Sequence, residues 1–156
     1  MIRHLYVHTP FCAKICPYCA FHVHRGGVEE QREFVAALTT EWRRAREEFP
    51  LALETVYFGG GTPSILSAEL FSELISPLRE SPSNCPPQEQ EFTLEVKPAT
   101  VTPEKAAAWH AAGVNRISLG AQSFDPEMLK LLGRQHAPED IAETCRSEER
   151  RVGKAC

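Results

Sequence analysis

A strand followed by a helix, repeated four times, is the pattern that most limits what this chain can become. Residues 3–8 alternate around Leu5 and Val7 and predict a first strand. Beyond Gly26 and Gly27, the apolar positions Phe34, Leu38, Trp42, Ala45 and Phe49 fall three and four apart, which is one face of a helix. Residues 55–58 predict a second strand that runs straight into Gly59-Gly60-Gly61-Thr62-Pro63. Ser67 then caps a helix whose apolar stripe is Leu70, Phe71, Leu74, Ile75 and Leu78.

The same rhythm continues. Residues 81–90 are rich in Pro and polar side chains and predict a loop. Phe92, Leu94 and Val96 alternate in a third strand. Thr102-Pro103-Glu104 supplies an N-cap with Pro at the first helical position, and Gly113 ends that helix. Residues 114–119 predict a fourth strand, and Asp125-Pro126-Glu127 opens a short helix ending near Gly133. Four such units imply an α/β fold of parallel strands joined by helical crossovers. A closed eight-unit barrel takes about 250 residues. The chain has 156, so the expectation is a partial, TIM-like barrel of about four β/α units that stops before closure.

Residues 1–145 are expected to form that unit. Residues 146–156 predict a tail outside it, non-native or disordered. Pro138-Glu139-Asp140-Ile141 starts a helix that the sequence does not visibly complete, and Arg-Ser-Glu-Glu-Arg-Arg-Val-Gly-Lys resembles translated adaptor sequence.

Composition narrows the partners. The net charge is −4 and no Lys/Arg face is visible, which argues against nucleic acid. No apolar run approaches the roughly 18 residues needed to cross a bilayer, and no signal peptide is legible, so a cytoplasmic protein is expected rather than an integral membrane one. In a reducing compartment, six cysteines point to metal ligation or catalysis before disulfides. Three of them crowd into one short stretch, while Cys85, Cys145 and Cys156 are scattered and read as structural or incidental.

The crowded set is Cys12-x3-Cys16-x2-Cys19, in the loop leaving the first strand. A cubane has four irons and takes thiolate ligands. Three cysteines leave one iron open to chelate the amino and carboxylate groups of a methionine moiety. If that methionine is part of a sulfonium, one electron from the reduced cluster breaks a carbon–sulfur bond. The competing reading is zinc: His22 follows Cys19 closely enough for a closed Cys3His site.

The glycine run is a weak signal alone, because a tight β–α turn explains it. It lacks the spacing of a dinucleotide or phosphate loop. Position strengthens it: the cysteine loop follows strand one, the glycines strand two, Glu95 ends strand three, and Gln122 and Ser123 follow strand four. In a β/α barrel all of these lie on the ligand-binding rim. Plain alternatives remain: Glu95 as a solvated strand end, Gln122 as a helix cap, Tyr6 and His8 as core, and His24 and His110 as surface residues.

Four stretches carry a family resemblance. Tyr6-Val7-His8-x-Pro10-Phe11-Cys12-x3-Cys16-x-Tyr18-Cys19-x-Phe21 resembles the cluster loop of radical-SAM enzymes, specifically the oxygen-independent coproporphyrinogen-oxidase-like group. Gly59-Gly60-Gly61-Thr62-Pro63-Ser64 and the segment Gly113-Val114-Asn115-Arg116-Ile117-Ser118-Leu119-Gly120-Ala121-Gln122-Ser123-Phe124 are similar to the same group, as is Leu132-Gly133-Arg134-x-His136. The resemblance implies that Cys12, Cys16 and Cys19 bind a [4Fe–4S] cluster. It places Tyr18 beside the adenine of S-adenosylmethionine (SAM), Gly60 and Gly61 at its methionine end, and Glu95, Gln122 and Arg134 at its ribose and carboxylate regions. Tyr6 and His8 would line the site near the cluster.

Within the group, the decarboxylating members usually carry a further cysteine where this chain has Phe21, so the resemblance favours the heme-chaperone branch. That implies heme as cargo in a complete protein, heme-accepting proteins as partners, and a ferredoxin or flavodoxin as electron donor. A coproporphyrinogen oxidase is the enzyme alternative, and a zinc-stabilised binding module the alternative without redox chemistry. Ala20, His22, Lys97 and Ala121 depart from the group's usual residues.

Overall fold

Four strands stand side by side in chain order, all parallel, in the computed structural model, which describes residues 1–79 and 89–152. The strands are β1 (Ile2–Thr9), β2 (Leu51–Gly60), β3 (Glu91–Val96) and β4 (Arg116–Leu119). Between and after them run α1 (Val28–Glu48), α2 (Ala68–Arg79), α3 (Pro103–Ala111), α4 (Pro126–Leu131) and α5 (Pro138–Val152), with a 3-10 turn at Pro63–Ile65.

Helix boundaries follow their caps. Glu30 accepts from the Gly27 backbone N–H at 2.9 Å at the head of α1, and Ser67 Oγ accepts from Leu70 N at 3.1 Å at the head of α2. Thr102 accepts from Lys105 N at 3.2 Å and Asp125 from Glu127 N at 2.9 Å, each just before a Pro that opens its helix. Gly113 takes φ +87 where the chain turns out of α3.

The order β1-β2-β3-β4 decides the architecture. A doubly wound sheet reverses its strand order and carries helices on both faces. Here the apolar strand positions Leu5, Val7, Val56, Phe58, Phe92, Leu94, Val96, Ile117 and Leu119 share one parity and belong to a single core with Val35 and Trp42 of α1, Phe71 of α2 and Trp109 of α3. The opposite parity is polar: His4, Tyr6 and His8, then Thr55 and Tyr57, Thr93 and Glu95, Arg116 and Ser118. Winding in one direction around a polar concave face is barrel geometry.

Several expected boundaries move. Strand β2 begins at Leu51 because Leu51 pairs with Ile2, and it extends through Gly60 because His8 and Thr9 pair with Gly59 and Gly60. Strand β4 is shorter than the predicted 114–119: Val114 N is spent on Trp109 O at 3.0 Å, closing α3. Helix α5 spans Pro138–Val152 and packs against α3. Most of the predicted 81–90 loop, the last residues of the tail, Cys85 and Cys156 lie outside the described residues.

Candidate functional site

The cysteine loop is pinned at its base before it carries any ligand. Cys12 N donates to His24 O at 3.0 Å and His24 N to Pro10 O at 2.9 Å, so the excursion between them leaves and returns at one point. Phe11 is buried beneath it, edge-on to both His24 and Phe34. Cys12, Cys16 and Cys19 are all free thiols and all half-buried. Cys12 Sγ lies 3.3 Å from Thr62 Oγ1, and Cys16 Sγ accepts from Arg134 Nη1 at 3.7 Å.

The glycine run meets this loop from the side. Gly61 N donates to Thr9 O at 2.7 Å. A Cβ at Gly61 would sit 2.7 Å from Phe11 O and 3.1 Å from Cys12 Sγ, so only glycine lets the two backbones approach. At Gly60, φ is +105 and a Cβ would press within 2.5 Å of the His8 ring.

Glu95 is no solvated strand end. Its Oε1 accepts from Tyr57 Oη at 2.6 Å and its Oε2 from Gly60 N at 3.2 Å. Burial raises the Tyr57 phenol above its ordinary pKa, and its bond to the Glu95 carboxylate adds to the rise. The helix cap at 125 belongs to Asp125, so Gln122 is not that cap; it holds φ +66, a left-handed backbone uncommon for a non-glycine residue.

These groups enclose one cavity of about 330 Å³ at the C-terminal rim of the sheet. Of the expected site residues, Cys16, Cys19, Tyr18, Gly60, Gly61, Glu95, Gln122 and Arg134 line it, and Cys12 sits directly behind Gly61. Tyr6 and His8 stand beside it on the polar sheet face. Tyr6 stacks on Tyr57 with centroids 6.0 Å apart, and its hydroxyl donates to His8 Nδ1 at 3.1 Å. His8 Nε2 donates to His22 O at 2.9 Å, which sets the tautomer, so neither ring is core packing. His24 and His110 are exposed, as expected.

Sequence reasoning missed Tyr57, Thr62 and Ser118. Strand parity was the available signal, since Tyr57 faces the same way as Gly59 and lies opposite Tyr6 in register.

Arg134 shows the clearest demand for a ligand. Its Nη2 donates to Gly120 O at 2.7 Å and its Nη1 to Cys16, while Nε is buried with no partner. A buried orphan donor costs about 1–3 kcal/mol unless something supplies an acceptor. Tyr18 stands next to it: burial raises its phenol pKa, with Arg134 opposing the rise and Cys16 adding to it. A glycine cradle, an unfilled guanidinium donor and a nucleoside-sized cavity beside three free thiols fit a small polar ligand held against a three-thiolate cluster. Among the described residues no three His, Cys, Asp or Glu side chains form a group that could hold one metal ion. A cubane needs no such convergence, because each thiolate binds its own iron.

Comparison with known proteins agrees with this geometry. A family model described as the Radical SAM superfamily matches residues 6–151. The heme chaperone HemW of Escherichia coli (strain K12) is 37% identical over 145 residues, covering 87% of this chain and 36% of that protein. The oxygen-independent coproporphyrinogen III oxidase of Bradyrhizobium diazoefficiens is 35% identical over 147 residues, covering 88% of this chain and 31% of that protein. Among solved structures, coproporphyrinogen III oxidase (HemN) from Escherichia coli, a radical SAM enzyme, superimposes with a TM-score of 0.83 at 28% identity, over 95% of this chain and 34% of that one. The chain thus spans about a third of the length of the curated relatives it matches.

Proposed function

Since the chain belongs to the radical SAM superfamily, whose members bind a [4Fe–4S] cluster and SAM, we propose that it is a SAM-binding iron–sulfur unit of the heme-chaperone type. The observation that carries the reading is the meeting of Cys16 with Arg134 in a cavity also walled by Gly60, Gly61 and Glu95. Cys12, Cys16 and Cys19 hold the cluster. Gly60 and Gly61 admit the methionine end of SAM, Tyr18 flanks its adenine, and Glu95, Gln122 and Arg134 meet its ribose and carboxylate regions. Tyr6 and His8 line the approach near the cluster. When bound and reduced, the cluster supplies the electron that cleaves the sulfonium carbon–sulfur bond.

The chain's own residues bind and orient. Tyr57 and the Gly60 N–H occupy both oxygens of Glu95 and hold that carboxylate on the cavity wall. Arg134 is anchored by Gly120 O and so presents a fixed fork. Thr62 and Arg134 place donors on two of the three cysteine sulfurs, which stabilises thiolate.

Phe21 is exposed and lines the site; it stands where the resemblance implies a further cysteine in decarboxylating members, which favours heme as cargo over porphyrinogen as substrate. The electron donor is a ferredoxin or flavodoxin and the recipients are heme-accepting proteins. Among the described residues no helix is long and apolar enough to cross a membrane. Free thiols suit a cytoplasmic setting. The second reading, an oxygen-independent coproporphyrinogen oxidase, draws on the HemN superposition. The test is anaerobic reconstitution followed by heme titration and by incubation with coproporphyrinogen, SAM and a reductant. Stoichiometric heme binding without SAM-dependent decarboxylation supports the chaperone reading. Release of carbon dioxide with 5′-deoxyadenosine establishes the oxidase instead.

A further inference from the structure

Lys97 departs from the pattern the resemblance implies, and its setting is more elaborate than a surface lysine requires. Its backbone is fastened at both polar atoms: N donates to the buried Ser64 Oγ at 3.1 Å, and O accepts from Thr100 Oγ1 at 2.6 Å. Ser64 and Thr100 are themselves 2.7 Å apart, and Lys105 Nζ donates to Ser64 O at 2.8 Å. The turn that follows is closed by Thr100 N to Lys97 O at 3.2 Å and holds Ala99 at φ +65, which a non-glycine residue adopts reluctantly. The loop after β3 is thus bolted to the loop after β2, and the Lys97 side chain lines the cavity.

Charge in that cavity is lopsided. Besides the cysteines, its charged lining side chains are Glu95, Lys97 and Arg134, and both oxygens of Glu95 are already engaged. The ammonium of Lys97 has one weak partner, Gln135 Oε1 at 3.4 Å. Its pKa is lowered, chiefly by burial and then by the neighbouring Arg134, while Cys16 and Cys12 pull the other way. Two cations on the wall of one cavity, one with an orphan Nε, suit an anionic group of a ligand.

We propose that Lys97 is a second cationic anchor of this site and that, with Arg134, it grips the carboxylate of the SAM amino-acid end. This rests on the proposed SAM-binding function. It also gives the cavity a polarity: the SAM carboxylate lies toward Lys97 and Arg134.

The test uses reconstituted protein with iron and sulfide matched across variants. Affinity for SAM and for decarboxylated SAM is measured by calorimetry for wild type, Lys97→Gln and Lys97→Arg. The expected result is a loss of about tenfold in SAM affinity for Lys97→Gln, the size of one charge-assisted hydrogen bond, with Lys97→Arg within about threefold of wild type. Decarboxylated SAM binds wild type and Lys97→Gln alike. Equal SAM affinity for wild type and Lys97→Gln, or a Lys97→Arg variant as weak as Lys97→Gln, would each overturn the assignment. A cluster-loaded wild type that binds no SAM would instead overturn the proposed function on which it rests.

Discussion

Tyr57 donates its hydroxyl to Glu95 at 2.6 Å, and this bond ties the second strand to the third at the rim where the cavity opens. Tyr57 also stacks on Tyr6 of the first strand. One side chain therefore joins three strands on the polar face of the sheet.

Removing that hydroxyl should be felt at the ligand before it is felt in the fold. Tyr57→Phe keeps the ring and the stack but leaves Glu95 Oε1 unpaired. The expected cost is about 1–2 kcal/mol, read as a several-fold weaker SAM affinity with a melting temperature within a few degrees of wild type.

The glycine cradle predicts a sharp contrast between two substitutions of the same kind. Gly61→Ala drives a methyl to 2.7 Å from Phe11 O, a backbone atom that cannot step aside without moving the cysteine loop. Denaturant titration should show a loss of about 1–3 kcal/mol, with reduced cluster occupancy. Gly27→Ala, which meets nothing within 4 Å, should stay within about 1 kcal/mol of wild type.

His136 makes stability fall on the acid side. It is buried, its Nε2–H donates to Ala121 O at 3.0 Å, and Nδ1 has no partner. Burial lowers its pKa below the ordinary 6.5, with Arg134 and Lys97 adding to the lowering against the Ala121 bond. Below pH 6.5 the unfolded chain takes up a proton that the folded chain refuses, so stability is full above that value and lost as pH falls toward the depressed folded value. Denaturant titrations at pH 7.5 and 5.5 should show this loss in wild type and a smaller one in His136→Gln.

The order of elements was legible in the sequence because it rests on local signals. Thr102-Pro103 and Asp125-Pro126 cap and open helices wherever they stand, and the alternation of Phe92, Leu94 and Val96 needs no partner to be seen. The cysteine loop, the glycines, Glu95, Gln122 and Arg134 were legible through their motifs and their shared rim. What stayed hidden depends on register. Tyr57 becomes a site residue only once β2 lies against β1 and β3, and the role of Lys97 emerges only when Ser64 and Thr100 clamp its backbone. The length of α5 was illegible for a different reason: its later residues lack an apolar stripe, the signal from which helices are read.

Iron and acid-labile sulfide per chain after anaerobic reconstitution, with Cys16→Ser alongside, test the central claim most directly. A three-thiolate cubane predicts about four of each per chain, both largely lost in the variant. Zinc without sulfide, or a Cys16→Ser protein that retains the full complement, would contradict it.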